Sequence, residues 1–304
     1  MKETVSAFTV DVEDYFQVSG FERHISRAHW DHHESRVVRN TYRVLSLLSR
    51  HNVRATFFVL GWVADRYPRL VREIHECGHQ VGSHSYWHRL VYQQTPEEFR
   101  DDLRHSRQVI EDAIGAEITA YRAPSFSITA SSLWAMDILA EEGFRIDSSV
   151  FPVHHDRYGI PGAPRQPHRI QTPAGPLWEF PPSVCRFLGW NVPVSGGGYF
   201  RLYPLRWTLR CVARIHATGM PFLFYVHPWE LDPEQPRLRL GSPGTRFRHY
   251  VNLGENERKL DALLRTVRFG PLTDAIGHGE TRLPCHEVGV GVRGSGLPST
   301  ASYA

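Results

Sequence analysis

The sequence predicts an α/β fold built around a parallel sheet, either open or closed into a (β/α) barrel. Strand-like and helix-like runs alternate along most of the 304 residues, the order that builds parallel sheets. Asp11, His84, Arg122, Asp147 and His227 each stand at or just past the end of a strand-like run. Active sites of such folds gather at the carboxyl ends of the strands, so the same recurrence predicts where chemistry sits. Residues 151–200 break the alternation. They are rich in Pro, Gly and aromatics and predict an irregular excursion over one face.

Residues 5–12 are apolar and β-prone, which makes a first strand. Val37, Thr41, Val44, Leu45 and Leu48 fall on one helical face, with Ser35 as the cap. Residues 54–60 (RATFFVL) read as a buried strand, and residues 63–77 as a helix stopped by Gly78. Residues 80–82 form a short strand leading into His84. Residues 96–114 read as a helix capped by Thr95, with Pro96 in its first turn. Strands at 118–122, 144–147 and 222–227 and helices at 130–142, 204–218 and 256–267 continue the alternation, with a hairpin around 172–180. In Ser195-Gly196-Gly197-Gly198 the glycines either let backbone approach a ligand or simply make a turn. From Gly277 onward the hydrophobic period is lost. Residues 1–276 are therefore read as one barrel domain including the excursion, and 277–304 as a disordered tail.

Composition excludes several classes. Charged residues at 22% and hydrophobic residues at 41% predict a globular chain. A formal net charge of +3, with Lys2 and Lys259 as the only lysines, is too mild to predict a nucleic-acid partner. Cys77, Cys185, Cys211 and Cys285 are far apart and form no CxxC pair, so neither a zinc ribbon nor a disulfide framework is expected. A reducing compartment is the simpler reading. The first residues lack the basic-then-apolar pattern of a signal peptide, and no apolar run approaches the ~18 residues that span a bilayer. The expected location is cytoplasmic, with a peripheral place on the inner membrane as its variant.

The most chemically telling stretch is His84-Ser85-Tyr86-Trp87-His88. Its two imidazoles are four residues apart, and on a helix that spacing puts both on one face, within reach of one metal ion. The zinc-protease pattern HExxH places a glutamate beside the first histidine as general base. Here Ser85 takes that place, so a third ligand and a base must come from elsewhere. Thr9-Val10-Asp11-Val12-Glu13-Asp14 is the best source. Two histidines and one carboxylate leave coordination positions open, the condition for a catalytic site.

Taken in order, these groups resemble the polysaccharide deacetylases of carbohydrate esterase family four, the NodB-type family. The resemblance covers roughly residues 5–230. That family opens with T-F-D-D-G, where this chain has Thr9-Val10-Asp11-Val12-Glu13-Asp14. Its H-[ST]-x-x-H motif is met by His84 to His88. Its R-x-P motif is similar to Arg122-Ala123-Pro124-Ser125-Phe126, its aspartate-centred motif to Asp147-Ser148-Ser149, and its L-x-x-x-H motif to Leu223-Phe224-Tyr225-Val226-His227. The opening and the Ser195 to Phe200 loop look closest to a bacterial subgroup associated with exosortase-linked exopolysaccharide systems. The resemblance implies a distorted barrel with fewer than eight full units.

It also implies roles. His84 and His88 would hold a divalent metal, usually zinc in this family, with cobalt, nickel, iron or manganese as other candidates. Asp11 would be the general base and Arg122 its orienting partner. The Ser125 N–H would help stabilise the oxyanion, and His227 would be the general acid. Asp147 would hydrogen-bond His227 and raise its pKa. The usual second aspartate is replaced by Val12, so the carboxylate ligand is either Glu13 or Asp14. Strand alternation favours Glu13, which shares a face with Asp11, whereas Asp14 has the shorter side chain usual in the family. Trp87, Phe126, Tyr199, Trp190 and Trp229 are candidates to stack on pyranose faces, with core packing as the alternative for each.

The implied reaction is removal of N-acetyl groups from hexosamines in an exopolysaccharide or a lipid-linked oligosaccharide precursor. Two other readings keep the barrel. One is hydrolysis of a small cyclic amide such as allantoin; the other is glycan binding without catalysis.

Overall fold

The computed structural model describes residues 4–277 and 288–289. In chain order its first half holds β1 (Ser6–Val12), α1 (Val37–Arg50), β2 (Thr56–Val59), α2 (Gly61–Arg66), α3 (Pro68–Glu76), β3 (Gln80–Ser83), α4 (Pro96–Ile114), β4 (Ala120–Tyr121), α5 (Trp134–Glu141) and β5 (Ile146–Asp147). The excursion contributes β6 (His168–Thr172), β7 (Gly175–Glu179), β8 (Val184–Phe187) and β9 (Trp190–Pro193). After it come α6 (Gly197–Leu202), α7 (Leu205–Ala217), β10 (Leu223–Val226), α8 (Pro243–Tyr250), α9 (Leu253–Thr266), β11 (Phe269–Gly270), α10 (Leu272–Gly277) and β12 (Val288–Gly289).

The main sheet runs β10-β1-β2-β3-β4-β5-β7-β6-β12, with β11 also on β1, while β8 and β9 form a separate hairpin. Its pairings are parallel except β6 with β7, the hairpin expected near residue 172. The α/β class with a parallel sheet is thus found. No pairing among the described strands joins β10 to β12, so the path stays open there. β1 is buried at every position, as a central parallel strand covered on both faces must be. The residues that make β1 apolar without alternation therefore also place it at the middle of the sheet.

Local chemistry fixes most element ends. α4 begins with the reciprocal Thr95/Glu98 capping box and ends at Gly115 with φ 69°, where a left-handed residue without Cβ closes the helix. The single helix expected over 63–77 is split. Pro68 lacks an N–H and clashes with a preceding turn, so α2 stops at Arg66 and α3 starts at the proline. The β8–β9 hairpin and α8 were not legible as elements. The strand over 118–122 shrinks to two residues of regular pairing. β12 pairs with β6; the rest of the tail expected beyond Gly277 lies outside the described residues. Among the described residues no helix is long and apolar enough to cross a membrane.

Register positions the site. Val12 lies opposite Val59, Val59 opposite Ser83, Ser83 opposite Tyr121 and Tyr121 opposite Asp147. Val10 lies opposite Val226. Glu13, His84, Arg122 and His227 therefore leave the sheet at one edge, each just beyond its strand.

Candidate metal centre and active site

Arg122 anchors the site from the first residue after β4. It is fully buried, and its guanidinium lies 4.3 Å from the Phe58 ring centroid. Its Nη1 donates to Asp11 Oδ1 and to Thr9 Oγ1, both at 2.7 Å, while Nη2 donates to Ser148 Oγ at 2.8 Å and Nε to the Ser148 carbonyl at 3.2 Å. A buried charge needs such complete pairing. The result is an Asp11 carboxylate held in one orientation at the carboxyl end of β1.

His84 Nδ1 lies 2.8 Å from the Arg122 carbonyl. With a proton on Nδ1, the Nε2 lone pair is free to ligate. Burial pushes the His84 pKa down to about 4, which keeps the ring neutral at pH 7. The two histidines are not on a helix, contrary to the spacing argument. Ser85 and His88 have φ of 63° and 52°, and the segment is a loop. Buried Asp102 on α4 accepts from Tyr86 N at 2.9 Å and Trp87 N at 3.2 Å. The first N–H groups of α2 donate to the Ser85 and Tyr86 carbonyls. These bonds satisfy the loop and open the helix face that the i, i+4 argument assumed.

Glu13 completes the cluster. Its N–H donates to the Asp11 carbonyl, so the chain turns as soon as β1 ends. One ligand atom from each of Glu13, His84 and His88 lies within 4.8 Å of the others, and all three residues are buried. Glu13 Oε2 is 2.6 Å from His88 Nε2, and Trp229 Nε1 donates to Glu13 Oε1 at 3.2 Å. Burial alone would raise the Glu13 pKa, but the charges of His88, His227 and His84 and the hydrogen bond to His88 hold it at about 2.

Asp14, the other candidate ligand, goes elsewhere. Its Oδ2 accepts from Ser35 Oγ (2.8 Å), Arg36 N (2.7 Å) and Val37 N (3.1 Å), and its Oδ1 from Tyr15 N (3.0 Å). The turn after Asp11 aims it at the first turn of α1, whose N–H groups lack partners. Asp14 is thus a helix cap, and Ser35, expected to cap α1 itself, donates to it. Burial raises Asp14 to about 6 against these hydrogen bonds.

His227 faces both carboxylates, its Nε2 lying 3.9 Å from Asp11 Oδ2 and 3.7 Å from Glu13 Oε1. Its expected partner was Asp147. Instead, Nδ1 lies 2.6 Å from Glu230 Oε1. The 3-10 turn Pro228–Leu231 brings Glu230 back under the ring, and the same Oε1 accepts from His227 N at 3.1 Å. Glu230 is in turn held by buried Arg201, whose Nε is 2.7 Å from Oε2. Arg201 Nη atoms donate to the carbonyls of Arg248, His249 and Val251. Burial alone would lower His227, but the hydrogen bond to Glu230 and the charges of Glu13, Glu230 and Asp11 raise it to about 9.

Asp147 is turned inward because β7 pairs with β5. Glu179 stands opposite Asp147 in register, and the two buried carboxyls hydrogen-bond each other. Asp147 Oδ1 also accepts from Ser149 Oγ at 2.5 Å, and Ser149 Oγ accepts from Ala123 N at 2.7 Å. Ser125 and Phe126 next in chain have φ of 51° and 54°, and Ser125 Oγ meets Ser19 Oγ at 2.7 Å.

Of the aromatic candidates, Trp87 is 37% exposed and Trp190 is on the β8–β9 hairpin. Tyr199 is half-buried, its OH 3.4 Å from that of Tyr158. Phe126 packs on Tyr225 and Phe151, and Trp229 stacks on His227 and His249. Both are buried, so packing rather than an open sugar face is the part the fold gives them. In the glycine loop, Gly196 packs against protein backbone. Gly196 has φ 144°, and a Cβ there would meet the Tyr225 carbonyl at 1.9 Å, because this backbone lies directly against β10. Glu230 and Arg201 were missed, although an acid three residues after His227 is a readable capping spacing.

The fold and this cluster define an α/β protein with a candidate divalent-metal centre of two histidines and one carboxylate at the carboxyl ends of a parallel sheet. Residues 30–142 match the family model described as polysaccharide deacetylase, and residues 148–277 match a domain of unknown function, DUF3473. The chain is 32% identical over 98 residues to a peptidoglycan-N-acetylglucosamine deacetylase of Bacillus cereus, a stretch covering 32% of this chain and 36% of that protein. It is 42% identical over 81 residues to the peptidoglycan-N-acetylglucosamine deacetylase PgdA of Listeria monocytogenes, covering 27% of this chain and 17% of PgdA. The aligned stretches thus span about a third or less of these relatives' lengths. A Mycobacterium smegmatis structure assigned as a polysaccharide deacetylase superposes with a TM-score of 0.62 at 19% identity, covering 98% of this chain and 96% of that one. Family model and relatives together support the polysaccharide deacetylase family, and the superposition shows the fold.

Proposed function

We propose that this protein is a metal-dependent hydrolase that removes N-acetyl groups from hexosamine units of a bacterial exopolysaccharide or its lipid-linked precursor. The convergence of Glu13, His84 and His88 beside Arg122-bound Asp11 and His227 carries the reading. The donor set suits a divalent cation: two imidazoles, one of them neutral with its outer nitrogen fixed, and a buried Glu13 carboxylate whose Oε2 lies against His88 Nε2. Bound there, such an ion would polarise the amide carbonyl and lower the pKa of its water. The exosortase-linked subgroup is supported by the sequence of the opening and of the Ser195 to Phe200 loop.

In this reading Asp11 takes a proton from the attacking water while Arg122 keeps its carboxylate aimed. The water oxygen bonds to the acetyl carbon, and the Ser125 N–H donates to the developing oxyanion. His227, charged at neutral pH, gives its proton to the amine nitrogen as the C–N bond breaks. Acetate and a free amine result. Glu230 and Arg201 hold the His227 ring, and Trp229 holds Glu13.

The test is acetate release from N-acetylated oligosaccharides with defined metals, beside a cyclic ureide control. Release that stops on chelation, returns with zinc and is absent in His84→Ala supports the reading. Activity that survives both changes, hydrolysis of the ureide alone, or glycan binding without turnover under any metal would overturn it.

A further inference from the structure

The β8–β9 hairpin ends in an exposed apolar tip. Phe187 and Trp190 face each other across its last pair and are 56% and 71% exposed, and Leu188 at the turn is 85% exposed. Leu188 and Gly189 both have positive φ, the twist that two-residue hairpin turns need. These side chains therefore sit on a tight turn outside the main sheet. A soluble surface has no use for Phe, Leu and Trp side by side at a turn, where polar residues cost nothing.

The stretch of chain that holds the tip carries one sign of charge. No acidic residue occurs between Glu179 and Glu230, while Arg186, Arg201, Arg206, Arg210 and Arg214 do. Arg201 is buried on Glu230; the other four are exposed, and none forms an ion pair among the described residues. α7 packs against β8, where the Cys211 thiol meets that of Cys185. Its buried side is Thr208, Cys211 and Val212. Arg206, Arg210 and Arg214 repeat every fourth residue and form one stripe along the helix.

We propose that the β8–β9 tip and the α7 arginine stripe dock this protein on an anionic lipid bilayer. Phe, Leu and Trp are the side chains that enter the headgroup boundary, and arginines beside them meet its negative surface. A soluble polyanion would satisfy the arginines but leave the aliphatic Leu188 without a partner. The proposal goes beyond the deacetylase reading and does not rest on it, since binding is measured without turnover.

The full chain is sedimented with vesicles of phosphatidylcholine alone and with vesicles that contain phosphatidylglycerol. The expected result is binding to the anionic vesicles that weakens with salt, with a blue shift in emission that Trp190→Phe removes. Phe187→Ser, Leu188→Ser and Trp190→Ser together should reduce partitioning about tenfold or more, while circular dichroism stays native because the tip is exposed. Arg206→Gln, Arg210→Gln and Arg214→Gln together should lower affinity and flatten the salt dependence. The proposal is overturned if anionic vesicles do not bind the chain at low salt. It is equally overturned if the tip variant binds as well as the native chain, or if the tip instead makes a dimer in solution that the triple serine change dissolves.

Discussion

His227 and Glu230 are joined by a 2.6 Å contact between Nδ1 and Oε1, so the imidazole takes its carboxylate from three residues along its own turn and not from β5. A carboxylate on Nδ1 fixes the tautomer and favours the charged ring. Glu230→Gln removes that anion, so the His227 pKa falls from about 9. A general acid must be protonated to work. The alkaline limb of kcat/KM should therefore move to lower pH, with a loss at neutral pH on the order of tenfold or more. Asp147→Asn should leave that limb in place. A pH profile of the three proteins checks this; a shift in the Asp147 variant alone would return the role to β5.

Glu13 and Asp14 are neighbours with different work. Glu13→Gln takes one anionic donor from the cluster and should weaken zinc binding about 10–100-fold or more. Asp14→Ala should leave zinc affinity unchanged but lower stability by about 1 kcal/mol, the usual worth of a helix cap. Calorimetric zinc titration and urea unfolding separate the two effects. Equal zinc affinity in both variants would remove Glu13 from the ligand set.

Much of this site was legible because parallel strands write their ends into the sequence. A buried run followed by a polar residue marks a carboxyl end, and Asp11, His84, Arg122 and His227 were found that way. What pairs with what was not legible. Asp147 faces Glu179 because β7 lies beside β5, a neighbourhood that depends on 151–200 re-entering the sheet. Asp14 leaves the metal cluster because of a backbone turn after Asp11, which alternation cannot foresee. The HxxxH spacing pointed to the two histidines of the cluster through the wrong geometry, since a loop held by Asp102 also brings the rings together.

The Asp147–Glu179 pair should leave a mark on stability. Burial, then the Asp147 charge and hydrogen bond, raise Glu179 well above its usual value of 4.5. A carboxyl whose folded pKa is raised keeps its proton while the unfolded chain gives it up. Its cost is absent below the unfolded pKa and grows as pH rises from there toward the folded pKa. Glu179→Gln retains an acceptor for Val150 N and a donor for Asp147 while removing the titration. Its Tm should match the native protein near pH 4 and exceed it increasingly at higher pH. A Tm difference independent of pH would show that the pair does not share a proton.

Gly196 ties the excursion to the edge of the sheet that holds the candidate site. It bridges to Tyr225, and Tyr225 N donates to the Ser195 carbonyl at 2.7 Å. Tyr225 lies two residues before His227, so displacement of this backbone is felt at the proposed acid. Gly196→Ala must relieve a 1.9 Å approach to the Tyr225 carbonyl at φ 144°, a conformation that side chains with Cβ avoid. Stability should fall by roughly 3 kcal/mol, and kcat should fall even where the protein remains folded, because β10 has to shift. Gly219→Ala is the matched control: it too has positive φ, at 78°, but a Cβ there would meet no atom within 4 Å. It should lose stability without losing kcat. Equal kcat in the two variants, measured well below their unfolding temperatures, would separate the glycine loop from the reaction.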